Sequence, residues 1–219
     1  MLFTKFFGKR KDAYPLVTLP IKYSRLNTDV LRENSEEDWK NYKAWFFGVK
    51  EDRISELERE VRRMPGFEIW QADFSRASVV NLSDWFAKVA RGRPPTRAEI
   101  KWILTHIPSG PGQEMSLKYQ LDDKTISICS DVGMYLGDTL IKHNPSLKWK
   151  QLKGRHVWAC MMAISGELRH DPAFKPSKNF PSQLMGTATV IASLAIEEPG
   201  GERTLIAAFD KILGTYHVS

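Results

Sequence analysis

Apolar residues recur every three or four positions along most of the chain, a spacing that predicts amphipathic helices. Prolines and glycines mark where several of these helices must end, as at Pro65-Gly66 and at residues 92–95. Gly48 interrupts the first apolar pattern and is expected to divide it into two helices. The predicted helices cover residues 36–49, 52–64, 78–90, 97–107, 125–143, 183–198 and 202–213.

Polar residues at the predicted helix ends support these boundaries. Ser35 precedes three acidic residues, 36–38, which favour the positive end of a helix dipole. Thr96 and Glu99 have the spacing of a capping box. Asn144-Pro145 ends the helix over 125–143, because a proline disfavours helical backbone in the residue before it.

A small antiparallel sheet is predicted in the second half of the chain. Residues 147–152 alternate, with Trp149 on the inner face and Lys148 and Lys150 on the outer face. Residues 157–164 form an apolar run of strand length. Because helices and strands do not alternate along the chain, we predict a helix-rich α+β domain rather than a doubly wound sheet.

The predicted domain organisation is simple. Residues 1–34 form an irregular basic arm, and residues 35–219 form a single α+β domain. A loop rich in proline and glycine makes 108–113 a candidate lobe boundary. With 42% apolar residues the chain is globular, and no apolar run approaches the roughly 20 residues of a membrane span.

The charge pattern supports an alternative hypothesis, that the chain is a nucleic-acid-associated protein. The net charge is +6, and basic residues concentrate in three patches, 5–11, 88–101 and 142–155. Such patches attract phosphates or an acidic partner. However, the predicted strand turns Trp149 away from Lys148 and Lys150, so its ring cannot stack on a base that those lysines bind.

Catalytic and cofactor motifs are missing from the sequence, so we predict no catalytic residue, metal or cofactor. There is no phosphate-binding loop, and no two histidines have the spacing that chelates a metal from one helix face. Cys129 and Cys160 are expected to be buried, inert thiols of a reducing compartment, which favours a cytoplasmic location. The histidines are dispersed at His106, His143, His156, His170 and His217.

The helix over 125–143 has two distinctive faces. Cys129, Gly133 and Gly137 recur every four residues, which predicts the close approach of another element. The second face is polar and carries Asp131, Tyr135, Asp138 and Lys142. It is interpreted as a binding surface, as a solvated face with Asp138 paired to Lys142, or as part of a small hydrolase or transferase site completed by a histidine.

Residues 131–138 read Asp-Val-Gly-Met-Tyr-Leu-Gly-Asp, and Asn144-Pro145 and Lys148-Trp149 follow them. This segment resembles a group of bacterial accessory or immunity-type proteins encoded beside secreted antibacterial toxins. The resemblance implies a non-enzymatic protein that binds a protein partner, such as an immunity protein that neutralises a toxin by occlusion. It supplies no catalytic residues.

We therefore expect residues 125–152 to form a packed helix-and-strand scaffold whose charged side chains face outward toward a partner. Because the chain is basic, that partner should present a neutral or acidic surface. The predicted partner-binding residues are Asp131, Tyr135, Asp138, Lys142, Lys148 and Lys150.

Overall fold

The computed structural model describes residues 13–24, 28–151, 161–166, 182–201 and 204–216, and within them it confirms the helix-rich α+β class. A short 3-10 helix over Thr28–Glu33 precedes the first α-helix. The helices are α1 (Glu36–Arg62), α2 (Arg76–Val89), α3 (Arg97–His106), α4 (Pro111–Lys118), α5 (Asp123–His143), α6 (Leu184–Glu197) and α7 (Leu205–Thr215). The strands are β1 (Gly92–Arg93), β2 (Gln120–Leu121), β3 (Lys148–Gln151) and β4 (Met162–Ser165).

The predicted break at Gly48 is wrong, because α1 is one helix of 27 residues. Both halves of α1 bury apolar side chains on the same side, including Phe46 and Leu57. That shared burial outweighs the roughly 1 kcal/mol that a glycine costs in a helix. At its start, Ser35 caps the helix and exchanges hydrogen bonds with Asp38.

Two small antiparallel sheets are present in the described part of the chain. In the predicted one, β3 pairs with β4 and Trp149 lies opposite Ile164. Lys148 and Lys150 are exposed and Trp149 is half-buried, so the predicted alternation is confirmed. The second sheet, β1 with β2, has only two residues in each strand and was not predicted.

Helix α5 lies at the centre of the core. It packs along α6 and α1 and also contacts α2 and α7. The buried apolar cluster draws on both sides of 108–113, from Tyr42 and Leu57 in α1 to Phe209 in α7. No helix in the described ranges is long and apolar enough to cross a membrane.

The glycines of α5 create the close contacts that the sequence predicted. A Cβ added at Gly133 would lie 2.7 Å from the backbone nitrogen of Met185, at the start of α6. A Cβ added at Gly137 would collide with the indole of Trp149 on β3. Both glycines therefore let neighbouring elements approach α5 more closely than any other residue would allow.

Several predictions concern residues outside the described part of the chain. These include the basic patch 5–11 and the first residues of the predicted strand 157–164. Cys160, His156, His170 and His217 also lie outside it.

We expect Gly133→Ala to lower the free energy of unfolding by roughly 1–3 kcal/mol, because the new methyl group overpacks the α5–α6 contact. Gly48→Ala is the matched control, since no atom lies within 4 Å of its added Cβ. That change should raise the free energy of unfolding by about 1 kcal/mol through helix propensity alone. Urea unfolding measures both, and equal effects of the two substitutions would contradict the packing explanation.

Candidate functional site

The polar face of α5 turns inward, so the expectation that its side chains face outward is wrong for Asp131 and Tyr135. Both residues are fully buried. The wrong expectation assumed that polar residues mark the solvent side of a helix. Here they are buried because each finds hydrogen-bond partners in neighbouring elements, which offsets the cost of removing it from water.

Asp131 is held by a bidentate ion pair with Arg53 of α1. The Nε and Nη2 atoms of Arg53 donate to the two carboxylate oxygens over 2.7 and 2.6 Å. The hydroxyl of Tyr14 donates to the same carboxylate, and Nη1 of Arg53 donates to the carbonyl of Pro15 at 2.8 Å. This network ties the N-terminal segment to the crossing of α1 and α5.

Burial disfavours the charged forms of both Asp131 and Arg53, and the ion pair opposes this effect. Burial raises the pKa of Asp131 to about 6, although hydrogen bonds and charge from Arg53 and the hydrogen bond from Tyr14 oppose the shift. Burial alone would lower the pKa of Arg53, but its bonds to Asp131 raise it. The cluster is therefore a structural ion pair, closed to solvent on the Asp131 side.

Tyr135 fixes the turn that precedes α2. Its hydroxyl lies 2.5 Å from Oγ of Ser78 and accepts a hydrogen bond from the backbone nitrogen of Phe74 at 3.2 Å. Its ring stacks on the Phe74 ring at 5.2 Å. Phe74 has a φ of 58°, a strained backbone that these contacts stabilise.

Asp138 pairs with Lys50 of α1, so the predicted pair with Lys142 on the same helix is wrong. Nζ of Lys50 lies 2.7 Å from Oδ1 of Asp138, and the indole nitrogen of Trp149 donates to that same oxygen at 2.7 Å. Lys142 instead donates to the carbonyl of Asp73. Asp138 therefore joins α1, α5 and β3, because both partners approach it from other elements.

Of the six predicted partner-binding residues, the three lysines lie at the surface. Lys142, Lys148 and Lys150 are exposed, Asp138 is partly buried, and Asp131 and Tyr135 are inaccessible. Since Asp131, Tyr135 and Asp138 bind separate partners, they do not assemble the hydrolase or transferase site that the sequence left open.

Within the described residues, we find no catalytic or metal site in the surface depression, at Cys129 or among the metal-ligating side chains. A shallow depression of about 370 Å³ lies along the C-terminal half of α1. Its arginines, Arg59, Arg62 and Arg63, are each paired with a glutamate.

Cys129 is buried, and burial raises its pKa to about 12, so it is an inert thiol as predicted. No group of three metal-ligating side chains occurs in the described ranges.

A helical hairpin formed by α3 and α4, residues 97–118, is largely exposed. Strands β1 and β2 pair at its base, where Arg91 accepts a hydrogen bond from the backbone of Asp122 at 3.1 Å. The two helices pack on each other and make only marginal contacts with other elements. In the whole hairpin, Ile103 alone is fully buried.

The hairpin presents apolar side chains to solvent. Leu104 is 57% exposed and Met115 is 36% exposed. Leu104 follows Arg97 and Lys101 at helical spacing, so these three exposed residues form one stripe along α3. On a neighbouring face, the rings of Trp102 and His106 stack at 4.6 Å.

The apolar periodicity of α3 does not reveal this surface, because Leu104 is adjacent to the buried Ile103 and is equally apolar. Ile100, Ile103 and Ile107 supply the inner face of α3, being half-buried or buried. Leu104 lies one residue beyond Ile103 and directly in line with Arg97 and Lys101. That alignment with two cations is the sequence feature that indicates its outward position.

Protein-family models, curated proteins and solved structures provide no match for this chain.

We expect Arg53→Met to lower the free energy of unfolding at pH 7 by roughly 3–5 kcal/mol, because it leaves the Asp131 carboxylate buried without its counter-charge. The control Arg76→Met removes an exposed pair with Asp210 and should change stability by at most about 1 kcal/mol. Urea unfolding of both variants at pH 7 measures the difference.

The same variants make a pH prediction. A buried carboxyl with a pKa raised from 3.8 to about 6 stabilises the fold below pH 3.8, and this stabilisation is lost as the pH rises through 6. Without Arg53 the pKa of Asp131 rises further, so the stability deficit of Arg53→Met should shrink as the pH falls from 7.5 to 5. A deficit independent of pH would show that Asp131 does not titrate in this range.

Proposed function

We propose that this chain is a cytoplasmic, non-enzymatic protein that acts by occupying the surface of a protein partner, in the manner of a bacterial immunity protein that occludes a toxin. The observation that carries the proposal is the exposed α3–α4 hairpin. The paired strands β1 and β2 hold both ends of the hairpin, yet only one of its side chains, that of Ile103, is fully buried.

Exposed apolar side chains favour a protein partner. Leu104 and Met115 lie on the two helices of one hairpin, and covering them removes apolar area from water at about 25 cal/mol per Å². Burial of such side chains by a partner is a common source of binding energy in protein–protein contacts. The hairpin is therefore suited to packing against the surface of a protein partner.

The use of polar residues inside the fold supports the same proposal. Asp131, Tyr135 and Asp138 bind Arg53, Ser78 and Lys50, respectively, and are committed to holding the scaffold. The segment that carries the resemblance is thus the framework of the fold. In an occluding protein, such a framework serves to hold a separate contact surface rigid.

The basic patches give weaker support to nucleic-acid binding. In the patch 88–101, Arg93 is bound to Glu99, and Arg91 donates to two backbone carbonyls nearby. In the patch 142–155, the ring of Trp149 packs against Phe46 and Gly137. No aromatic ring beside the described lysines of this patch is therefore free to stack on a base.

The proposed function implies that a toxin-type protein is encoded by a neighbouring gene. We expect the double substitution Leu104→Asp and Met115→Asp to weaken binding to that protein by at least about 30-fold. A central apolar contact carries about 2 kcal/mol or more of binding energy, which corresponds to that factor. Isothermal titration calorimetry with purified proteins measures the affinity.

Ile69→Asp is the matched control, because Ile69 is 91% exposed in the turn after α1 and lies outside the hairpin. It should bind as tightly as the unmodified protein. Circular dichroism and urea unfolding establish that all variants are folded. Equal affinities of the double variant and the unmodified protein would contradict the proposed surface, and a partner toxin unaffected by the unmodified protein would contradict the proposed function.

A further inference from the structure

We infer that the α3–α4 hairpin docks on an acidic protein surface, with Leu104 packing into an apolar depression and Arg97 and Lys101 pairing with carboxylates on one side of it. This inference rests on the proposed function and specifies the chemistry of the partner. The partner would present an apolar depression bordered by aspartate or glutamate.

The geometry of α3 places the three side chains together. Positions 97, 101 and 104 follow the four-and-three spacing of one helix face and extend over roughly 10 Å of the helix axis. All three residues are exposed. The stripe is therefore a continuous contact strip with two cations at one end and an apolar side chain at the other.

The charges of the hairpin are not neutralised within the described structure. Arg97, Lys101 and Lys118 make no ion pair with any described residue, and Glu114 is the one acid of the hairpin left unpaired there. By contrast, Arg93 holds Glu99 at 2.7 Å, and this bond lowers the pKa of Glu99 to about 2. The free charge of the surface is thus positive, which complements an acidic partner.

A protein fits this strip better than a nucleic acid does. A phosphate backbone would be bound by cations along the whole strip, whereas Leu104 ends the strip with an exposed apolar side chain. The ring of Trp102, on a neighbouring face, already stacks on His106 with an interplanar angle of 7°. The combination of an apolar side chain with neighbouring charges is typical of protein interfaces.

Local contacts fix the start of α3 and the base of the hairpin. Thr96 and Glu99 form the predicted capping box at the start of α3, and Glu99 also binds Arg93 of β1. Strand β2 returns the chain beside β1, and Gly92 lets the ring of Tyr119 pack against that junction. A preformed surface loses little conformational entropy on binding.

The test compares charge-reversed variants for binding to the toxin-type protein of the neighbouring gene. Arg97→Glu with Lys101→Glu should weaken binding at least about tenfold at 50 mM salt and flatten its salt dependence. Leu104→Ser should weaken binding while keeping the salt dependence, because it adds no charge to the strip. The control, Lys43→Glu with Lys211→Glu, reverses two exposed charges on α1 and α7 and should leave the affinity unchanged.

The outcomes separate this inference from the proposed function. If the unmodified protein binds and the hairpin variants bind equally well, the acidic-partner inference is overturned while the proposed function stands. If the unmodified protein does not bind that protein, the proposed function itself fails. Binding of a 30-nucleotide single-stranded DNA or of phosphatidylserine vesicles that is abolished by Arg97→Glu with Lys101→Glu would also overturn the inference, because the strip would then serve another class of ligand.

Discussion

The ion pair between Arg53 and Asp131 is the contact on which the arrangement of the other elements depends. Neither charge tolerates burial alone, so α1 and α5 must cross where the guanidinium meets the carboxylate. The same pair binds Tyr14 and the carbonyl of Pro15, which fixes the path of the N-terminal segment. One electrostatic constraint thereby sets the relative position of three parts of the chain.

The close packing of α5 then completes the core around this pair. Gly133 accepts the start of α6, and Gly137 accepts Trp149 from β3, whose indole also binds Asp138. The residues of the 131–149 segment that make these contacts are therefore structural.

Local features of the fold could be predicted from the sequence, and features that depend on distant partners could not. The capping box of Thr96 and Glu99 and the alternation around Trp149 involve neighbouring residues, and both predictions are confirmed. The burial of Asp131 depends on Arg53, which is 78 residues away, so its polarity alone suggested the solvent side. Strands of two residues, such as β1 and β2, are too short to leave any pattern.

The paired strands at the base of the hairpin join it to the rest of the fold over a short length of chain. Because β1 and β2 bring residues 92 and 121 side by side, the chain leaves the core and returns to it at nearly one point. Substitutions at the tip of the hairpin should consequently leave the interior packing undisturbed.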